Sequence, residues 1–310
     1  MEKIFIGMPV FNGEKFIKEA IESIINQTYP NWELLISDNN SSDSTGEMAT
    51  LFTIKDERIK YIKQDQNIGV AANFLFLLDA APYDYFMWAA ADDKWDKIYL
   101  EKCLKPLIDR QDISLSFCNI KNIDSLGRVI RHYPSFARFV NKDKSAQIAT
   151  FILDPEFLGK ANLIYGIYRL PVCKKTMHTF LKRGMNTWGA DMAFLLCIFL
   201  LPSNIYIEER CLFFKRIAND LDTMNITRNI EPEFVYLNGI PLCENDYLTY
   251  YNSMIEVSSQ SEYAPLVQTI VDFKTALSKD IKGYKNKKNS WQKLPGYFFR
   301  IKRYASELFK

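Results

Sequence analysis

Long apolar runs are missing from this 310-residue chain: the longest, Met192 to Leu201, is about half of the ~20 residues a helix needs to cross a bilayer. No membrane-spanning segment is therefore expected. The six cysteines, at 103, 118, 173, 197, 211 and 243, lack close paired spacing, which argues against a disulfide framework. Met1-Glu2-Lys3-Ile4 leads straight into a strand, without the charged and apolar regions of a secretory signal. Both features predict a reducing, cytoplasmic setting. Histidine is scarce, and His132 and His178 fall outside any recognised motif, as surface or loop residues would. Glycine-rich phosphate loops are absent as well. No Gly-x-Gly-x-x-Gly follows the first strand, against a dinucleotide dehydrogenase, and no Gly-Lys-Ser/Thr loop speaks for a nucleoside triphosphatase.

What is present describes a globular protein. With 48% hydrophobic and 25% charged residues, the chain is large enough for one full core plus an appended element. Charge is unevenly placed. Ten of the 39 Lys and Arg, but two of the 37 Asp and Glu, lie between Lys279 and Lys310, so a net of +8 in the tail balances −6 in the rest.

Periodicity predicts alternating strands and helices over the first hundred residues, the pattern of a mostly parallel sheet. Lys3 to Val10, Trp32 to Ser37, Arg58 to Lys63 and Tyr83 to Met87 read as strands. Glu14 to Gln27, a stretch ending near Lys55, Val70 to Ala80 and Lys97 to Arg110 read as helices. Further on, Ser114 to Ile120 and Val129 to Tyr133 are expected to pair around Ser125-Leu126-Gly127, and Leu163 to Tyr168 to form a strand. Residues 188 to 201 read as a buried helix, 204 to 208 and 211 to 216 as strands, and 232 to 278 as helical.

Chemistry enters where strands end. Asp92 and Asp93 directly follow the apolar run that reaches Met87-Trp88. Two adjacent carboxylates repel, so they call for a cation, and a divalent metal serving a diphosphate is the expected one. In open α/β sheets ligands sit beyond the carboxyl ends of the strands. Phe11-Asn12-Gly13, Asp38 to Asp43 and Asp92-Asp93 all follow strands and can converge on one crevice.

Five pieces carry a resemblance over residues 3 to 95: Met8-Pro9-Val10-Phe11-Asn12, Ala20 to Thr28, Asp38-Asn39-Asn40-Ser41-Ser42-Asp43-Ser44-Thr45, Asn67-Ile68-Gly69 with Asn73, and Ala91-Asp92-Asp93. In order and spacing they resemble family 2 glycosyltransferases. The resemblance implies a GT-A fold, a nucleotide-diphosphate sugar donor, Mg²⁺ or Mn²⁺, and inversion at the anomeric carbon. It further implies that Asp93 binds the metal bridging the diphosphate and that Asp92 holds the ribose or the metal's waters. Asp38 would accept the imide N–H of uracil or thymine, and Phe11 would stack on the base. Pro9, Asn12, Asn67, Gly69 and Asn73 would complete the donor site, although Ala72 stands where a basic residue is frequent. Asp191, in Trp188-Gly189-Ala190-Asp191, matches the second acid of a pair opening an apolar helix, and the resemblance implies that it would be the catalytic base. Leu212-Phe213-Phe214-Lys215-Arg216-Ile217-Ala218 resembles the Tyr-Arg-x-His element. Arg216 would touch the diphosphate, and Ala218 replaces the metal's His.

The expected organisation is a GT-A catalytic domain over 1–230, with its nucleotide half at about 1–110 and its acceptor half at about 111–230. A helical extension over 231–310 follows, with a basic, aromatic tail from about 279. Such a tail suits an anionic membrane surface and a peripheral position on its inner face. The expected partners are a nucleotide-sugar donor and a glycan or lipid-linked acceptor of surface polysaccharide synthesis, without nucleic acid. Two alternatives stay open: a non-catalytic sugar-nucleotide or membrane-binding module, to which Ala190 and Ala218 point, and a sugar-phosphate nucleotidyltransferase.

Overall fold

The computed structural model describes residues 1–140, 142–154, 158–181, 189–217 and 244–285. The expected alternation is there: β1 (Ile4–Val10), α1 (Ile17–Ile25), β2 (Trp32–Asp38), α2 (Thr45–Lys55), β3 (Ile59–Lys63), α3 (Val70–Ala80) and β4 (Tyr85–Trp88). A short β5 (Lys94–Trp95) and α4 (Tyr99–Asp109) complete this half. Then come β6 (Ile113–Ile123), β7 (Val129–His132), α5 (Lys144–Leu153), β8 (Ile167–Arg169), α6 (Leu170–Leu181), α7 (Ala190–Phe199) and β9 (Asn204–Arg216). Helices α8 (Glu244–Ser258) and α9 (Ala264–Lys285) close the described chain.

The described strands form one sheet in the order β3-β2-β1-β4-β8-β6-β9-β5, with β7 on β6. Strands β3, β2, β1 and β4 run parallel, as expected. Beyond β4 the sheet is mixed, because β8 lies antiparallel to both β4 and β6. Two expectations change here. Leu163 to Tyr168 is mostly a 3-10 turn, Lys160–Tyr165, in which Gly166 N–H closes onto the Leu163 carbonyl; the strand starts only at Ile167. The two strands expected around 204 to 216 are one, since β9 keeps its pairing with β6 by looping out Glu209 and Arg210 between Glu208↔Cys118 and Cys211↔Asn119. Apolar spacing alone cannot tell a bulge from a break.

Both faces of the sheet are covered. On α1, Ile17, Ala20, Ile21 and Ile24 are buried at the helical spacing read in the sequence. Trp88, at the end of β4, is fully buried among Phe86, Phe74, Tyr168 and Phe194 of α7, and its indole N–H reaches the Phe74 carbonyl at 3.0 Å. Edge-to-face rings of this kind add about 0.5–1.5 kcal/mol each beyond the area they bury. The cluster therefore ties α7 to the strand that leads into the acidic pair. Tyr250, Tyr251 and Met254 of α8 and Val267, Ile270 and Val271 of α9 join the same core. The last part of the basic tail, 286–310, lies outside the described residues, and no described helix is long and apolar enough to cross a membrane.

Gly189 precedes α7 with φ +80°, and a Cβ there would lie 2.5 Å from the Tyr250 ring. Gly189→Ala combines left-handed strain with overpacking, so denaturant unfolding should show a loss of about 2 kcal/mol. A variant as stable as the parent would mean that α7 and α8 are not packed this way.

Candidate active site

The loops after β1 and β2 are built as one piece. Asn12, at φ +50°, donates its backbone N–H to Ser41 Oγ at 2.8 Å, and its side-chain carbonyl accepts Ser42 N–H at 3.0 Å. Gly13 N–H donates to Thr45 Oγ1 at 2.8 Å, and Glu14 and Asp43 exchange further bonds with the opposite loop. Asp38 lies fully buried beneath this layer. One of its oxygens takes Ser41 N–H at 2.8 Å and the other the Tyr61 hydroxyl at 2.7 Å. Phe11, 52% exposed, projects from the upper surface, where a flat ring has no core to join. Pro9 is partly exposed on β1 just before it.

The third motif is fastened to the second. Asn39 donates to Asn67 Oδ1 at 2.8 Å and accepts Ile68 N–H at 2.8 Å, while Asn67 Oδ1 also takes Gly69 N–H. Gly69, at φ +85°, supplies the backbone turn that α3 needs to start, a conformation in which glycine has no Cβ penalty. Asn73 is different. It is 1% exposed and spends both ends of its amide on Ser37, accepting Ser37 Oγ–H at 2.6 Å and donating to the Ser37 carbonyl at 2.9 Å. Its amide holds α3 against β2.

The acidic pair meets the end of β9. Because β5 pairs antiparallel with Phe213 and Phe214, the next two residues, Lys215 and Arg216, fall beside Asp92 and Asp93. Asp93 is fully buried; Oδ1 accepts Arg216 N–H at 2.8 Å and Oδ2 accepts Lys215 Nζ at 3.1 Å. Asp92 is partly exposed, and its backbone carbonyl accepts Arg216 Nε at 2.8 Å. The rest of the Arg216 guanidinium turns inward, to the carbonyls of Asp124 and Ser125 and to Glu19, over the Phe16 ring. Burial drives the Asp93 carboxyl above its ordinary range against the pull of Lys215. For Lys215 burial works downward, but the charge of Asp93 outweighs it and keeps the ammonium protonated.

Asp191 stands in the first turn of α7 and accepts Met192 N–H at 2.7 Å. Phe194, one turn further on the same helical side, packs on Trp88. That contact brings the helix start toward the acidic loop. Tyr165 marks the meeting point: burial pushes its hydroxyl up to about 12, Lys215 opposes this, and Asp93, Asp92 and Asp191 add to it. Burial likewise raises the Asp191 carboxyl above its ordinary value.

Sequence reading missed Tyr165, Lys215 and Glu19. Lys215 was legible as a basic neighbour of Arg216, but which of the two faces Asp93 depends on the alternation of β9. His132 and His178 lie on exposed surfaces, His178 paired with Asp79 at 2.8 Å. Trp188 and Ala218 fall outside the described residues. The donor set does not fit a divalent ion as it stands: both oxygens of Asp93 are engaged, one by a backbone N–H and the other by an ammonium.

The comparisons agree with this architecture. Residues 5–164 match the family model Glycosyl transferase family 2, just over half of the chain, and the protein belongs to that family. It is 32% identical over 188 residues to the putative teichuronic acid biosynthesis glycosyltransferase TuaG of Bacillus subtilis (strain 168), covering 59% of this chain and 73% of TuaG. It is 32% identical over 122 residues to the Escherichia coli UDP-Glc:alpha-D-GlcNAc-diphosphoundecaprenol beta-1,3-glucosyltransferase WfgD, covering 39% of this chain and 47% of WfgD. The crystal structure of S. aureus TarS 1-349 in complex with UDP-GlcNAc superposes with a TM-score of 0.59 at 17% identity, over 95% of this chain and 78% of that one. The fold is therefore GT-A, and the protein is a glycosyltransferase of a family that includes polysaccharide-synthesis enzymes.

Asn73→Ala would take from the Ser37 hydroxyl its acceptor and from the Ser37 carbonyl the Asn73 amide donor, leaving the hydroxyl only the bond it receives from Gln64 Nε2. Denaturant unfolding should show a loss of about 2 kcal/mol. Unchanged stability would release Asn73 from this fastening role.

Proposed function

We propose that this protein moves a sugar, with inversion, from a UDP- or dTDP-sugar to a hydroxyl of a glycan or lipid-linked acceptor in surface polysaccharide synthesis. The observation that carries the reading is geometric: Lys215, 3.1 Å from Asp93, lies over the Tyr165 ring, and α7, which opens with Asp191, packs through Phe194 on Trp88 of the strand that leads to the same acidic loop. A leaving diphosphate and an attacking hydroxyl need opposite electrostatic partners within one cleft, and these residues offer both. The acceptor oxygen attacks the anomeric carbon, its proton passes to Asp191, and the bond to the diphosphate breaks with its electron pair leaving on phosphate. A base poised this way contributes about 10²–10⁴-fold. Its raised carboxyl brings it closer to neutral working pH.

The remaining roles follow the same cleft. Phe11 stacks on the base, with Pro9, Asn12, Asn67 and Gly69 shaping the loops around it; Asp38, buried beneath them with its oxygens on Ser41 N–H and the Tyr61 hydroxyl, would accept the base's imide N–H only where this loop layer opens to admit the base. The names of TuaG and WfgD support a cell-surface polymer and a lipid-diphosphate acceptor, and the TarS complex supports a UDP-sugar donor. The Mg²⁺ or Mn²⁺ implied by the family resemblance finds no ready ligand set among the described residues, so no step here depends on it. The basic tail would hold the protein against the anionic inner face of the membrane, near such an acceptor. The catalytic and extension boundaries, 1–230 and 231–310, belong to this same proposal.

A panel of UDP- and dTDP-sugars, read by nucleotide release with and without acceptor glycolipid, tests the reading. Asp191→Asn should lower transfer about 10²–10⁴-fold while nucleotide binding persists. In the parent, the acid limb of the rate profile should fall at a pH above the ordinary aspartate value of about 4, because the base must lose its proton to act. Full activity of Asp191→Asn would sink the assignment.

A further inference from the structure

The Asp93 carboxylate is wholly buried, yet the side chain that answers its charge is not: Lys215 remains 25% exposed, with Nζ 3.1 Å from Oδ2. Other cations in the cluster are committed elsewhere. Arg216 is consumed by Glu19 and by the carbonyls of Asp92, Asp124 and Ser125, and Lys94 pairs with Glu19 at 2.5 Å. An ammonium carries three donors, of which Asp93 takes one. The Tyr165 ring lies on one flank of it, 5.3 Å from Nζ to the ring centroid. Asp93 thus already owns a cation, built into the chain at the place where the family resemblance puts a divalent ion, and Ala218 removes the histidine that would help hold one.

We propose that Lys215 is the resident cation of this site: its ammonium neutralises Asp93 and donates its free hydrogens to the donor diphosphate, so nucleotide binding and transfer need no divalent metal. This rests on the glycosyltransferase reading and specifies how that cleft handles phosphate charge. A tethered ammonium is a single charge without a coordination shell, so it holds phosphate oxygens through charge-assisted hydrogen bonds. It also brings no loss of metal on dilution.

Calorimetric titration of the full chain with UDP, dTDP and GDP, in EDTA and in MnCl₂, tests this. At least one nucleotide should bind within twofold of the same affinity in both buffers. Lys215→Met should weaken that binding about 10- to 100-fold, the loss expected for one charge-assisted hydrogen bond, and Lys215→Arg should retain most of it. Because Lys215→Met leaves a buried charge unpaired, the double variant Asp93→Asn/Lys215→Met provides a neutral pair that should fold, by thermal melt, and still bind weakly. Binding that requires Mn²⁺ in the parent, or Lys215→Met binding as the parent does, overturns the proposal. Sugar transfer restored only by Mn²⁺ also overturns it while leaving the transferase reading intact. Metal-free, Lys215-dependent nucleotide binding without any sugar transfer sinks the transferase reading and leaves Lys215 standing. Absence of binding for all three nucleotides in both buffers defeats both.

Discussion

A buried carboxylate must be answered where it lies, and the answer to Asp93 organises this protein. Ionised groups leave water at a cost of several kcal/mol, and stripping one partner from such a pair costs about 3–5 kcal/mol. Asp93 is matched by a backbone N–H and an ammonium from consecutive residues of β9. The neighbouring guanidinium then reaches Glu19 on α1, the loop after β4, and the β6–β7 turn. Two residues at one strand end therefore join α1, the loop after β4 and the β6–β7 turn to β9. Any shift of β9 against β5 would break this set together.

The loops after β1, β2 and β3 are held by different means. Between residues 11 and 69 the loops are cross-bonded by short polar side chains, with Asn12, Asn39, Ser41, Thr45 and Asn67 each bonding to another loop or to their own. Such bonds are modest individually, near 1 kcal/mol net, but leaving any one unmade in a part-buried layer costs more. Pre-built loops meet a ligand with little ordering left to do. Phe11 stays exposed beside them.

Much of the fold was legible because apolar periodicity is a local property. The β1 to α4 alternation, the buried face of α1 and the helix at 190 follow from side-chain spacing alone. The misread places, the turn at 160–165 and the bulge at 209–210, are those where backbone hydrogen bonds override spacing. Site residues show the same division. Asp92, Asp93, Asp38 and Asp191 were visible as carboxylates at element ends, whereas Asn73 and Arg216 look alike in sequence whether they face a ligand or the interior. In the fold both turn inward, since Ser37 and Glu19 are there to receive them.

By itself the sequence determined the family, the α/β alternation, and the carboxylates that gather at strand ends, since these depend on residue order and on short-range periodicity. Only the tertiary structure decided that Lys215 rather than Arg216 places its side chain on Asp93, that Asn73 serves as a fastener, and that the Tyr165 ring lies beside the Lys215 ammonium. The physical reason is distance along the chain: these partners are up to 122 residues apart, and strand pairing and aromatic packing bring them within bonding range.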